Sequence, residues 1–166
     1  MPLQKRKWMS LIMDVSFAIF VVRGIVYLII EKERDLYNAV KLPKFSLPSH
    51  WFSVIWIIIY TLIGFSVWLA RENYKKNKKI SLSVYHNAVF VYYIHLTLNI
   101  LWSILFFKLK LFFVSFLLML IIFALVNIIC FWFYKISKPA AVIVAVYVLW
   151  LFYLTFALSL PVTILN

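Results

Sequence analysis

Glycine is nearly missing from this chain, with two residues in 166, Gly24 and Gly64. No GxxxG pair can form, so helix contacts are expected to rest on Ala, Ser, Thr and interlocked large side chains. Cysteine is reduced to Cys130. That excludes an internal disulfide and a two-thiol metal or redox site. The acidic residues are five: Asp14, Glu31, Glu33, Asp35 and Glu72. None forms an acid–base pair within one apolar segment. No nucleophile motif or metal-ligand spacing occurs either, so no catalytic residue, metal ligand or required cofactor is assigned. Charged residues make up only 13% of the chain, against roughly 25% in soluble domains.

The chain is rich in apolar and aromatic residues instead. It is 66% hydrophobic and 20% aromatic, with a mean hydropathy of +1.01. This is the composition of an integral membrane protein. At about 20 residues per span, the pattern predicts an all-α membrane bundle of five transmembrane helices. The spans fall at about 8–30, 50–70, 82–107, 111–134 and 139–160, in one domain covering 1–166. The first run is too long for a signal-peptide core and is read as a span. Within it, Asp14 is expected to meet headgroups or water. Arg23 is expected either to snorkel toward the far interface or to pair with another helix.

The net charge of +12 sits in short clusters beside the spans. That is how membrane proteins set orientation, and no basic groove suggests nucleic acid. The lipid bilayer, with its anionic headgroups, is the expected partner. Lys and Arg total ten over the N-terminus and the second and fourth loops, against six over the first and third. This count puts the N-terminus inside, with the cell membrane the expected residence.

The one long connection, 31–49, carries Pro43 and Pro48 with Tyr37 and Phe45. The prolines favour extended or turn geometry, and a packed loop of this length is expected to cap one end of the bundle. Residues 71–79 read as a strongly basic turn. Asn127 is expected to hydrogen-bond across helices, and Pro161 to end the last helix.

Within the third span, His95, Asn99, Trp102 and Ser103 fall on one face at i, i+4, i+7 and i+8. Lipid cannot satisfy such a polar stripe, so it must face protein or a cavity. Trp56 and Tyr60, with Phe52, share a face of the second span. They make either a packed aromatic stripe or a wall for a flat ligand, and periodicity leaves both open. Tyr147 and Trp150 are neighbours at i, i+3 on the fifth span.

These residues resemble the TspO/MBR family, the tryptophan-rich sensory proteins related to the mitochondrial translocator protein. LNILWSILFF (98–107) resembles the family's L-N-x-x-W-S-P-L-F-F. LYNAVKLPKFSLP, followed by Trp56 and Tyr60, resembles W-Y-x-x-L-x-K-P-x-W-x-P-P followed by Trp and Tyr. YVLW (147–150) resembles P-Y-L-L-W. The likeness runs from about Leu36 to the C-terminus. It departs at Leu36 and Phe45 (Trp in the family), Leu42 (Lys), His95 (Gln), Ile104 and Val146 (Pro) and Leu158 (Asn).

The resemblance implies a bundle that often forms a homodimer, with an inter-helix cavity under the first loop for flat hydrophobic molecules such as porphyrins. The family's sterol motif needs a basic residue late in the fifth span. Nothing basic follows Lys138, so a sterol is disfavoured. By the same resemblance the chain is a membrane receptor or carrier for a tetrapyrrole, porphyrin or haem. Trp56, Tyr60, Trp102, Tyr147 and Trp150 would stack on or enclose the ring. His95 and Asn99 would bond its polar edge, and Tyr37 and Phe45 would close the lid. Two alternatives stand beside this reading. One is a light-dependent porphyrin-degrading enzyme. The other is a regulatory or structural partner of another membrane protein, with no small ligand.

Overall fold

The computed structural model describes residues 3–20, 24–26, 33–77 and 79–166, with the side chains of 3–6, 33, 34 and 36 left aside. Arg23 lies outside the described residues, as does most of the second half of the first expected span, about 8–30. Every regular element among the described residues is helical. α1 spans Leu3–Ile19 and α2 Glu33–Asn38. α3 spans Ser49–Lys76, and α4 spans Leu82–Ser103 before opening into a π-helical turn, Ile104–Lys108. α5 spans Phe112–Ile136. α6, Lys138–Phe152, passes through a second π segment, Tyr153–Ser159, into α7, Leu160–Leu165.

Four of these helical runs are long and apolar enough to cross a membrane: Ser49–Lys76, Leu82–Lys108, Phe112–Ile136 and Lys138–Leu165. The shortest has 25 residues, about 38 Å at 1.5 Å per residue. That exceeds a hydrocarbon core of about 30 Å, so helix ends reach the headgroups. The protein is an all-α integral membrane bundle.

Three boundaries differ from the sequence reading. α3 continues through Arg71–Lys76, where a turn is expected. Charge does not end a helix once it has left the hydrocarbon, and Lys75 pairs with Glu72 at 2.7 Å one turn away. The 31–49 connection contains a short helix, α2, ahead of its prolines. The last helix runs past Pro161 to Leu165. Pro161 stands in the first turn of α7, where a missing N–H costs little, and the π segment before it absorbs the mismatch.

The helices pack pairwise in the order α1–α3–α6–α5–α4. The α1–α3 crossing rests on Gly64, contrary to the expectation that glycine plays no part in packing. A Cβ placed there would lie 2.7 Å from Val15 Cα and 2.9 Å from the Asp14 carbonyl oxygen. One glycine therefore lets two backbones touch without a paired motif. Beside it, Arg71 and Asp14 form an ion pair at 2.9 Å, so Asp14 meets a partner helix rather than headgroups. Asn127 also differs from expectation. It is exposed and donates to the Phe123 carbonyl of its own helix at 2.7 Å, which satisfies it without a neighbour.

Candidate functional site

Three helices and a loop bring their aromatic stripes together on one side of the bundle interior. From α3, Phe52, Trp56 and Tyr60 recur every fourth residue and are all buried. From α4 come His95, Asn99 and Trp102. The π turn that follows adds Phe106 and Phe107. Its wider coil, closed by Leu109 N–H to the Ile104 carbonyl at 3.0 Å, buries these two adjacent rings together. α6 supplies Tyr147 and Trp150, and the second π segment supplies Tyr153.

The rings pack against one another. Trp56 stacks on Tyr60 (centroids 5.2 Å apart) and meets Trp102 at 6.3 Å and Trp150 edge-on at 6.1 Å. Trp102 stacks on Phe106 at 5.0 Å, and Trp150 on Tyr153 at 5.3 Å. Tyr37 enters from α2 against Phe52 at 4.9 Å. Ring contacts of this kind favour offset and edge-on arrangements. The sequence-derived residues Tyr37, Trp56, Tyr60, His95, Asn99, Trp102, Tyr147 and Trp150 thus converge. Phe45 does not join them. Its side chain is 61% exposed, and only its carbonyl comes near, 3.5 Å from the Tyr153 hydroxyl. Phe106, Phe107 and Tyr153 belong to the cluster beyond the expected ligand-binding residues, as does Phe52, which the sequence places only on the face of Trp56 and Tyr60. Tyr153 could have been found, since it continues the Tyr147–Trp150 spacing by three.

The loop is held over this cluster by two tyrosines. The Tyr37 hydroxyl donates to the Leu47 carbonyl at 2.8 Å, and Leu47 N–H donates to the Tyr153 hydroxyl at 3.2 Å. Burial beside the Tyr153 ring pushes the Tyr37 phenol up to about 12, against a weaker opposing hydrogen bond with Ser46. Its proton stays in place at every physiological pH.

The polar atoms inside the cluster are only half satisfied. His95 Nδ1 lies 2.5 Å from the Tyr92 carbonyl. A carbonyl accepts, so Nδ1 carries the hydrogen, and in the neutral ring Nε2 presents a lone pair. Asn99 Nδ2 donates to the His95 carbonyl at 2.9 Å and to the Tyr147 hydroxyl at 3.1 Å. Six buried side-chain polar atoms among the described residues have no hydrogen-bond partner, and four of them lie in the cluster: His95 Nε2, Asn99 Oδ1, Trp102 Nε1 and Trp150 Nε1. Two are acceptors and two are donors. Buried groups left this way in a native fold are uncommon and call for an explanation.

The family model that matches this chain is that of the TspO/MBR family, over residues 15–161. No curated protein matches it. The match takes in α3 to α6 and nearly all the spanning length, including every residue of the cluster. At Ile104, where the family motif has proline, the N–H is present and shared between the Ile100 and Leu101 carbonyls, and the π turn opens there. Buried aromatic stripes on membrane-spanning helices, a tied-down first loop and a match over nearly the whole length agree: the chain belongs to the TspO/MBR family, with the general role of a membrane receptor or carrier.

Proposed function

We propose that this protein binds a flat tetrapyrrole, a porphyrin or haem, within the aromatic cluster beneath the 39–48 segment. The observation that supports this most is the set of four unpartnered polar atoms among stacked rings. A ligand that completes the site needs a broad apolar face, donors for His95 Nε2 and Asn99 Oδ1, and acceptors for the two indole N–H groups. A porphyrin offers a flat π body and peripheral carboxyl groups, which accept from the indole N–H groups as carboxylates and donate to Nε2 or Oδ1 when protonated; in haem the iron can meet Nε2 instead. Apolar pockets with a few placed polar groups are the usual form of such sites. Because the rings now fill the space between the helices, the ligand enters by separating them, with Trp56, Trp102 and Trp150 passing from ring–ring to ring–ligand contact. Phe45, at the exposed edge of the loop, lies outside this contact set. The proposed setting is the cell membrane, with the N-terminus inside by the count of Lys and Arg in the loops, and the proposed state is the homodimer that the family resemblance implies.

Titration of the purified protein in detergent with protoporphyrin and with haem tests the proposal through tryptophan fluorescence. Saturable quenching is expected, weakened in His95→Ala. Absence of quenching rejects the tetrapyrrole. New absorbing products on illumination of the complex would add catalysis to binding. A haem Soret shift lost in His95→Ala would assign iron ligation to Nε2.

A further inference from the structure

A second site lies at the opposite end of the bundle from the 39–48 segment. The start of α1, the end of α3 and the α5–α6 turn border an open cavity of about 610 Å³. Four lysines line it: Lys7, Lys76, Lys135 and Lys138. The single carboxylate, Glu72, is already paired with Lys75 at 2.7 Å, so it offsets little of that charge. Trp68 and Tyr134 form aromatic walls. The Trp68 indole is anchored to the Lys7 carbonyl at 3.3 Å, and the Lys138 ammonium sits 5.9 Å from the centre of the Tyr134 ring. Asn73, donating to the Ile136 carbonyl, ties α3 to the α5–α6 turn and holds the cavity's shape. A second cavity of about 650 Å³ shares Lys7, Glu72 and Lys76 and is bordered by the apolar Met9 and Met13.

The position of this cavity selects its occupant. It sits where spanning helices emerge, at headgroup depth, with Trp and Tyr at the level such residues take in a membrane. Its charged lining is mostly cationic, Asn73 and Ser137 add neutral polar groups, and Trp68, Leu69, Ile136 and Pro139 give it apolar walls. A soluble anion would use the lysines and leave the apolar walls wet. A neutral lipid would leave the lysines without a counter-charge. Basic pockets between spanning helices suit anionic headgroups.

We propose that this cavity binds the phosphodiester headgroup of an anionic glycerophospholipid, with an acyl chain leaving along Met9 and Met13. The site is separate from the aromatic cluster and independent of what the cluster binds.

Native mass spectrometry of the full chain in detergent tests this, with phosphatidylglycerol and phosphatidylcholine of matched chains as probes. The wild type should retain phosphatidylglycerol at least tenfold more strongly. Each lysine near a membrane surface is worth about a fivefold change in affinity. The double variant Lys76→Gln/Lys138→Gln should therefore lose about 25-fold of phosphatidylglycerol affinity. Lys41→Gln/Lys44→Gln, at the other end, should lose none. Equal retention of the two lipids by the wild type overturns the proposal without need of any variant. Equal loss in both double variants overturns it as diffuse charge attraction. Displacement of the lipid by millimolar glycerol phosphate overturns the lipid assignment in favour of a soluble phosphate.

Discussion

Replacing Trp102 by phenylalanine separates what the aromatic cluster does for folding from what it does for a ligand. Trp102 is 0% exposed, and its indole N–H has no partner among the described residues. A buried donor left in this state costs roughly 1–3 kcal/mol. Trp102→Phe deletes that donor. It also leaves a void on the order of 40 Å³, which at about 24 cal/mol per Å³ costs about 1 kcal/mol. Lost apolar burial adds about 1 kcal/mol more. The stacking on Phe106 at 5.0 Å survives the change. Gains and losses nearly cancel, so the variant should lie within about 1 kcal/mol of wild type, far from the 3–5 kcal/mol of a Trp→Ala truncation. A tetrapyrrole that accepts a hydrogen bond from Nε1 would lose that bond, about 1 kcal/mol or fivefold in affinity. Unfolding in detergent followed by circular dichroism reads the first quantity, and fluorescence titration with protoporphyrin the second. A variant destabilised by more than about 2 kcal/mol that binds protoporphyrin like the wild type would refute the reasoning.

The two glycines should respond oppositely to alanine. Gly64→Ala drives a Cβ into the backbone of α1 and should destabilise by about 1–2 kcal/mol after its gain in helix propensity, whereas Gly24→Ala, with nothing within 4 Å, should be neutral or mildly stabilising in the same unfolding assay. Arg71→Met leaves the Asp14 carboxylate without its partner. With Arg71 at 26% exposure, the cost should be about 2 kcal/mol, below the 3–5 expected for a wholly buried pair, and Asp14→Asn in the same background should recover part of it. The raised phenol of Tyr37 gives a pH signature. Its contribution is fully present below the unfolded value near 10 and is lost as pH climbs through about 12. Wild type should therefore lose stability over that window more steeply than Tyr37→Phe, and equal slopes in denaturant titrations at pH 9 and 11 would contradict the assignment.

The stripes that build the cluster were legible because burial follows helical period. Trp56 with Tyr60, His95 with Asn99 and Trp102, and Tyr147 with Trp150 are spaced so that one face must turn inward whatever the tertiary arrangement. Phe45 was not legible in this way. A loop side chain has no period, and its exposure depends on where the backbone around Pro43 and Pro48 sets it down. The role of Gly64 was hidden for a different reason. A single small residue matters only when a particular backbone crosses it, and here that backbone is the Asp14–Val15 stretch of α1. Arg71–Lys76 looked like a turn because a charge run marks where the hydrocarbon ends, and that is not where α3 ends. The two π segments carry no composition of their own. Their trace is the burial of neighbours such as Phe106 with Phe107 and Leu154 with Thr155.

Tyr153 belongs to two structures at once. Its ring stacks on Trp150, and its hydroxyl accepts the Leu47 N–H of the overlying segment. Any ligand that displaces Trp150 must also change how firmly that segment is held. Linkage makes the relation reciprocal: the factor by which release of Leu47 alters ligand affinity equals the factor by which ligand alters release of Leu47. If the cluster takes the proposed ligand, its occupancy would be felt through this one side chain by the segment that covers the cluster.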